Sequence, residues 1–206
     1  AVSYSSSNIG VDMVTGNNLN KYLFTGKPRE GFTNMLYNMI KEDSYVSISA
    51  TLVPLSILLM YYQNDRQLLD EILDTDIRTT SNAHLYEVMT GYETSTASMM
   101  LESGMIEGGL AAIVLHDKYN FCHGRINLSK LQASDLIVFK ANTEIETLYP
   151  KHLYPYYNNI IEIPFGYEDH IINDFYLSQL SLKLLRRIAG KKHVDVSDMK
   201  ELPDND

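Results

Sequence analysis

The chain has 206 residues, of which 45% are hydrophobic, and its formal net charge is −9. This length and composition predict one globular α/β domain, or parts of two, without extensive disorder. The negative charge argues against nucleic acid and anionic membrane surfaces as partners, because both are bound by clustered Lys and Arg. A small anionic ligand is still allowed, since a few local donors can outweigh a diffuse negative field.

The cysteine count and the lack of long apolar runs indicate a cytoplasmic protein. Cys122 is the single cysteine, which excludes an intramolecular disulfide and a Cys-rich zinc site. No apolar run reaches the roughly 18 residues of a membrane span. Residues 1–10 lack the basic and apolar regions of a signal peptide. Because the sequence begins without Met, a fragment or a processed chain is expected.

The first half of the chain predicts mainly helices. Residues 15–31 are rich in Gly, Asn and charge and have the composition of a loop, and residues 33–40 predict a short helix. The most apolar segment, residues 48–63, predicts a buried helix that begins at or bends near Pro54, because proline lacks a backbone donor. Residues 64–77 predict an amphipathic helix.

The second half predicts strands that alternate with helices. Helical patterns cover residues 98–111 and 173–190, and Gly190 is the expected C-cap of the second helix. The predicted strands are residues 84–90, 112–117, 135–141 and 160–166. This order is typical of a three-layer α/β fold, in which helices flank a parallel sheet.

Two hydroxyl-rich turns suggest an internal repeat. SYSSSN, residues 3–8, and YETSTA, residues 92–97, both lead from a predicted strand into a predicted helix. They lie about 90 residues apart, which is the size of a small domain rather than of a solenoid unit. We therefore predict two related units with a boundary in residues 75–82.

The second turn suits a phosphate group. Hydroxyls of Thr94, Ser95 and Thr96 adjoin the backbone amides of a helix start. Such amides lack helical hydrogen bonds and lie at the positive end of the helix dipole. The alternative is an ordinary N-cap with spare hydroxyls.

The helix that follows carries Glu102 and Glu107. Glutamate on a helix is usually solvated, which is the alternative to a chemical role. Glu107, however, lies within Met-Ile-Glu-Gly-Gly-Leu. We expect a carboxylate among such apolar and small neighbours to be partly desolvated, as suits a general acid or base.

His123 lies in a predicted loop, where a histidine is most often a surface residue. The spacing of His116, Cys122 and His123 matches no common zinc pattern, so we expect no metal. The chain also lacks the GxGxxG and GxxxxGK patterns, and no cofactor is expected. That absence weakens a further alternative, an unrelated flavodoxin-like or nucleotide-binding domain.

Residues 91–125, GYETSTASMMLESGMIEGGLAAIVLHDKYNFCHGR, resemble the sugar-isomerase (SIS) domains. These are the phosphosugar-binding modules of aldose–ketose isomerases, deglycases and some sugar-responsive regulators. The shared features are the hydroxyl-rich loop, the acidic helix and the later His-Gly pair. Residues 1–14, 43–62 and 175–203 are similar to other parts of a tandem SIS protein.

The resemblance implies a domain division, a ligand and a homodimer. Residues 1–75 would be the later part of a first SIS domain, residues 80–190 a second, and residues 191–206 a polar tail. The residues implied to bind the phosphosugar are the hydroxyl-bearing residues of two loops: Ser5, Ser6, Ser7, Thr94, Ser95 and Thr96. A dimer is implied because the catalytic histidine of such enzymes can come from a neighbouring subunit.

The resemblance also implies a reaction. Glu107 would move a proton between C1 and C2 through an enediol, and His123 would assist ring opening, as in an aldose–ketose isomerase or a deglycase. Two departures leave a non-catalytic phosphosugar sensor or scaffold as the alternative. Members with a lysine on the acidic helix would place it near Gly104, and Arg125 follows His-Gly where many members have another residue.

Overall fold

A computed structural model describes residues 22–25, 28, 30, 32–36, 48–91, 94–118, 121, 127, 133–140 and 152–196. Its first two strands form a parallel pair, in which β1 (Tyr22–Thr25) lies beside β2 (Thr33–Leu36). The loop predicted for residues 15–31 is therefore wrong at β1, and the short helix predicted for residues 33–40 is wrong at β2. Periodicity does not distinguish a short strand from a short helix, and here pairing between the two segments decides.

Two helices follow this pair of strands. They are α1 (Ile48–Gln63) and α2 (Arg66–Asp74), so both predicted helices are observed, but α1 begins well before Pro54 and is mostly half-buried, not buried as predicted. Asn64 adopts a left-handed conformation with φ of 51°, which ends α1. Asp65 then caps α2 by accepting a backbone hydrogen bond from its first turn.

The main sheet has four parallel strands in the order β4-β3-β5-β6. These strands are β3 (Leu85–Thr90), β4 (Ala112–Asp117), β5 (Asp135–Phe139) and β6 (Ile160–Ile163). All residues of β3 and β5 are buried, as expected of central strands in a parallel sheet that is covered on both faces. The predicted α/β fold is confirmed.

One face of the sheet is apolar and is covered by α3 (Ser95–Glu107) and α4 (His170–Lys191). These helices pack together so closely that a Cβ atom on Gly104 would lie 2.8 Å from Cδ2 of Leu185. The strands contribute Tyr86, Val88, Ile137, Phe139, Ile161 and Ile163 to this core. Burial of these side chains is the main force that holds the helices on the sheet.

The other face combines a small apolar cluster with a buried polar group. Met89, Leu136 and Val138 pack with Phe121 and with Leu153, which precedes a short 3-10 turn (Tyr154–Tyr156). Glu87 points to the same face, because side chains alternate along a strand and Glu87 precedes Met89 by two residues.

The C-terminal end of α4 differs from the prediction. Gly190 lies inside the helix, which continues to Lys191. The left-handed residue is His193, with φ of 57°, and the backbone N–H of Val194 donates to the carbonyl of Ala189 at 3.0 Å. This is a Schellman ending with histidine in the position that glycine usually takes.

The helices α1 and α2 share a core with the main sheet. Leu59 of α1 and Ile72 of α2 belong to the same apolar cluster as the buried strand residues. In addition, Lys183 of α4 donates to the backbone carbonyls of Leu73 and Thr75 at the end of α2. The domain boundary in residues 75–82 stays a prediction. None of the helices in the described ranges is long and apolar enough to cross a membrane.

Candidate functional site

The predicted phosphate turn lies at a topological switch point of the sheet. It joins β3 to α3, and the neighbours of β3 are β4 on one side and β5 on the other. The chain leaves β3 toward β4 on one side and leaves β5 toward β6 on the other, so the connections diverge at the carboxyl ends of these two neighbouring strands. Parallel α/β sheets bind ligands in the crevice at such a point.

Thr94 builds this turn from the inside. Its side chain is buried, and its Oγ1 accepts a hydrogen bond from the backbone N–H of Gly91 at 2.9 Å. Thr90 links the hydroxyls of Thr94 and Ser98, each at 2.9 Å. The hydroxyl of Thr94 is thus part of a buried polar cluster beneath the turn and does not face solvent.

The other two predicted hydroxyls lie at the start of α3. Ser95 is half-buried and Thr96 is exposed. Because the hydroxyl of Thr94 faces inward, no side chain of the N-cap residue bonds to the first amides of α3. In contrast, Asp169 caps α4 by accepting from the amides of Ile171 and Ile172. The first amides of α3 therefore receive no hydrogen bond from the side chain of their N-cap residue, which suits an anion.

Glu107 lies at the opposite end of α3. Its side chain is exposed, so the desolvation expected from its neighbours is not observed. Glu107 is the last residue of the helix, and its Oε1 accepts a hydrogen bond from the exposed Ser103 at 2.7 Å. With a rise of 1.5 Å per residue, about 18 Å of helix separates Ser95 from Glu107.

This separation exceeds the reach of one sugar phosphate. In a hexose 6-phosphate, C1 and C2 lie closer to the phosphorus than the two ends of α3 lie to each other. The structure therefore does not bring Glu107 and the turn at Thr94–Thr96 together around one ligand within a single chain.

The missing lysine at Gly104 has a steric reason. Gly104 is buried where α3 approaches α4, and any side chain there would meet Leu185, which is itself fully buried. A lysine at this position would have to displace the α3–α4 contact. Ser5, Ser6, Ser7 and His123 lie outside the described residues, so their placement stays a prediction.

A buried polar cluster on the second face was not predicted. Glu87 is fully buried and accepts hydrogen bonds from Ser134 at 2.7 Å and Tyr157 at 3.2 Å. Its other contact is Nε2 of His116 at 2.9 Å, and the His116 ring packs edge-on against Phe121. The available signal was the acidic residue at the centre of the apolar strand LYEVMT, where a charge requires buried partners.

No family profile and no curated protein sequence matches the chain. Solved structures do match it. The glucosamine-6-phosphate deaminase of Thermotoga maritima aligns with a TM-score of 0.64 and 12% identity over 98% of this chain and 72% of its own. The C-terminal domain of glucosamine-fructose-6-phosphate aminotransferase from Francisella tularensis aligns with a TM-score of 0.64 and 11% identity, over 95% and 72%.

A glucose-6-phosphate isomerase like protein from Thermus thermophilus also aligns, with a TM-score of 0.60 and 12% identity, over 89% of this chain and 68% of its own. The predicted resemblance to SIS domains is therefore confirmed at the level of the fold. Identities of 11–12% do not carry ligands or catalytic residues from these proteins to this chain.

Proposed function

We propose that this protein binds a sugar phosphate and holds its phosphate group at the turn between β3 and α3. The observation that carries this proposal is the inward-facing Thr94 hydroxyl, which makes no hydrogen bond to the first amides of α3 at the switch point of an SIS-type fold. Ser95, Thr96 and the first amides of α3 would then bind the phosphate oxygens. Ser5, Ser6 and Ser7 would supply the second hydroxyl loop.

Neutral donors at a helix start suit this acidic protein. The net charge of −9 repels an anion at long range, so the site has to act through short hydrogen bonds and the helix dipole. The described first turn of α3 contains no acidic residue that would oppose a phosphate there. A hydrogen bond to a charged group contributes about 1.5–3 kcal/mol, so a few such donors suffice for selective binding.

Within a single chain, the geometry favours binding of the sugar phosphate without catalysis. Glu107 is exposed and lies one helix length from the phosphate turn, so it does not face a sugar held by its own chain. The second candidate is an isomerase or deglycase, favoured by the names of the proteins that share the fold. In that case Glu107 and His123 would act on a sugar bound by the other chain of a homodimer.

The binding proposal is tested by calorimetry with fructose 6-phosphate, glucose 6-phosphate and glucosamine 6-phosphate, each compared with its unphosphorylated sugar. We expect heat of binding for at least one phosphorylated sugar and none for its partner. Thr96→Val should weaken that binding about 10- to 150-fold, because one hydrogen bond to a charged group is lost. The control is Thr80→Val, which removes an exposed hydroxyl outside the turn. Equal affinity in Thr96→Val and wild type would exclude Thr96 as a phosphate ligand.

Turnover separates the two candidate functions. Any interconversion or deamination of the bound sugar should disappear in Glu107→Gln while binding persists, and Glu102→Gln on the same helix is the matched control. If the wild-type protein binds a sugar phosphate but converts none, the non-catalytic function is supported. Turnover that survives Glu107→Gln would remove this residue from the mechanism.

A further inference from the structure

A pocket between α1, α3 and α4 lies beside the phosphate turn but is built for a different ligand. Its volume is about 230 Å³. Most of its wall is hydrocarbon from three helices, contributed by Leu55, Leu58, Leu59, Met100, Ile171 and Phe175. Ile171 is 52% exposed, so the pocket can be entered from solvent at that side.

Two polar side chains of α4 line this apolar pocket without hydrogen bonds. Neither Asp174 nor Ser178 has a hydrogen-bond partner within the described part of the chain, although Ser178 is almost completely buried. Burial raises the pKa of Asp174, which reflects the cost of placing a carboxylate among hydrocarbon. His170, one turn earlier, lowers the same pKa through its charge but is too distant for an ion pair within the described contacts.

These features select the chemistry of the occupant. An apolar wall favours a hydrocarbon body, while the unpaired carboxylate of Asp174 favours a cationic donor that would restore a charge-assisted hydrogen bond. A dry cavity of about 150 Å³ accepts benzene, so a pocket of this size accommodates about nine non-hydrogen atoms. A sugar phosphate is excluded, because both its anion and its hydroxyl-rich body are unsuited to this wall.

We propose that this pocket is a binding site for a small primary amine with an aromatic or branched alkyl body, whose ammonium group contacts Asp174 and whose hydrocarbon part lies among Leu55, Leu58 and Phe175. Ser178 adds a hydroxyl next to the carboxylate, where it can accept a second hydrogen bond from the ammonium. Thr96, a proposed phosphate ligand, also lines this pocket, but the amine site does not depend on the proposed phosphosugar function, since the two ligands carry opposite charges.

The test is calorimetry of the whole chain with 2-phenylethylamine as the probe, compared with 2-phenylethanol and phenylacetate. We expect the amine to bind and the alcohol and the acid to bind at least about tenfold more weakly, because only the amine pairs with the carboxylate. Asp174→Asn should weaken amine binding about tenfold or more while reducing the preference for amine over alcohol. The matched control is Glu168→Gln, which removes an equal charge from an exposed position outside the pocket.

A second variant keeps the proposal testable if Asp174→Asn disturbs folding. Leu58→Phe adds bulk to the pocket wall without touching the carboxylate, so it should abolish binding of the amine and leave phosphosugar binding unchanged. Equal binding of the amine in wild type, Asp174→Asn and Leu58→Phe would overturn the proposal. So would a concentration-dependent dimer in sedimentation that Leu58→Phe dissociates, because a second copy of the chain would then be the occupant.

Discussion

The two faces of the main sheet are stabilised by different interactions, although they share the same strands. On the face covered by α3 and α4, Val88 and Ile137 pack in a large apolar core. On the opposite face, Glu87 occupies the centre of β3 and is held by hydrogen bonds from three other segments. The first face is stabilised by burial in proportion to area, whereas the second depends on each polar partner being present.

This difference places constraints on the candidate site. At the apolar face, the hydroxyls of Thr94, Thr90 and Ser98 form a small buried cluster beside the turn. On the polar face, His116 lies near the carboxyl end of β4 and its ring contacts Phe121. The proposed phosphate turn is therefore supported by hydroxyl pairs above the apolar core, and these pairs do not include the buried carboxylate of Glu87.

Removal of Glu87 is expected to have the largest effect. Glu87→Ala leaves His116, Ser134 and Tyr157 without their common acceptor in a buried site, and each buried polar group left unpaired costs about 1–3 kcal/mol. Urea unfolding followed by circular dichroism measures this loss. The control is Asp70→Ala on α2, whose contact with Arg66 is exposed and should contribute no more than about 1 kcal/mol. Equal losses in the two variants would show that the cluster adds nothing beyond a surface pair.

Gly104 tests the packing of the apolar face. Gly104→Ala should destabilise the protein by about 1–3 kcal/mol, even though alanine is the better helix former, because the new methyl group would overlap Leu185. The same substitution in a Leu185→Ala background should cost much less, since the overlap is gone. Unfolding free energies of the two single variants and the double variant give the coupling directly. Additive losses would mean that the two side chains do not compete for space.

At Gly190 in α4, in contrast to Gly104, we expect alanine to stabilise the protein. A Cβ atom there meets no atom within 4 Å, and the residue is exposed inside α4. Gly190→Ala should therefore stabilise the protein by about 1 kcal/mol through helix propensity. The result is read as an increase in the midpoint of urea unfolding without a change in slope. A loss of stability would return Gly190 to the C-cap role that the sequence predicts.

The contrast between the two sheet faces also explains which parts of the structure could be predicted from the sequence. The strand AIVLHD is observed at its predicted bounds. Helical periodicity predicted α2, and short apolar or β-branched runs predicted the strands of the main sheet. The cluster around Glu87 could not be predicted, because its partners lie 29, 47 and 70 residues away along the chain. Only folding brings such residues together, so no local pattern reports them.

The candidate site was predictable in chemistry but not in geometry. A hydroxyl-rich turn before a helix identified the segment at Thr94, yet which hydroxyl faces inward depends on Thr90 and Ser98 beneath it. Glu107 was expected to be desolvated from its apolar neighbours in sequence. It is exposed at the last position of α3, next to the exposed Ile106, although Met105 in the same turn is buried.

The smallest expected effect distinguishes two helix starts: the N-cap side chain of α4 bonds to the first amides, and that of α3 does not. Hydrogen bonds from the backbone amides, above all that of Ile172, hold the pKa of Asp169 below its usual value. A carboxyl group whose pKa is lower in the folded state stabilises the protein above its unfolded pKa, near 4, and loses this contribution as the pH falls through the folded value.

Asp169→Asn keeps a capping side chain but cannot titrate. The difference in unfolding free energy between wild type and this variant should therefore be constant from neutral pH to about pH 5 and should change in favour of the variant below about pH 4. A difference that is independent of pH would show that the capping carboxylate carries no charge-dependent stabilisation, and the contrast with the uncapped start of α3 would then rest on hydrogen bonding alone.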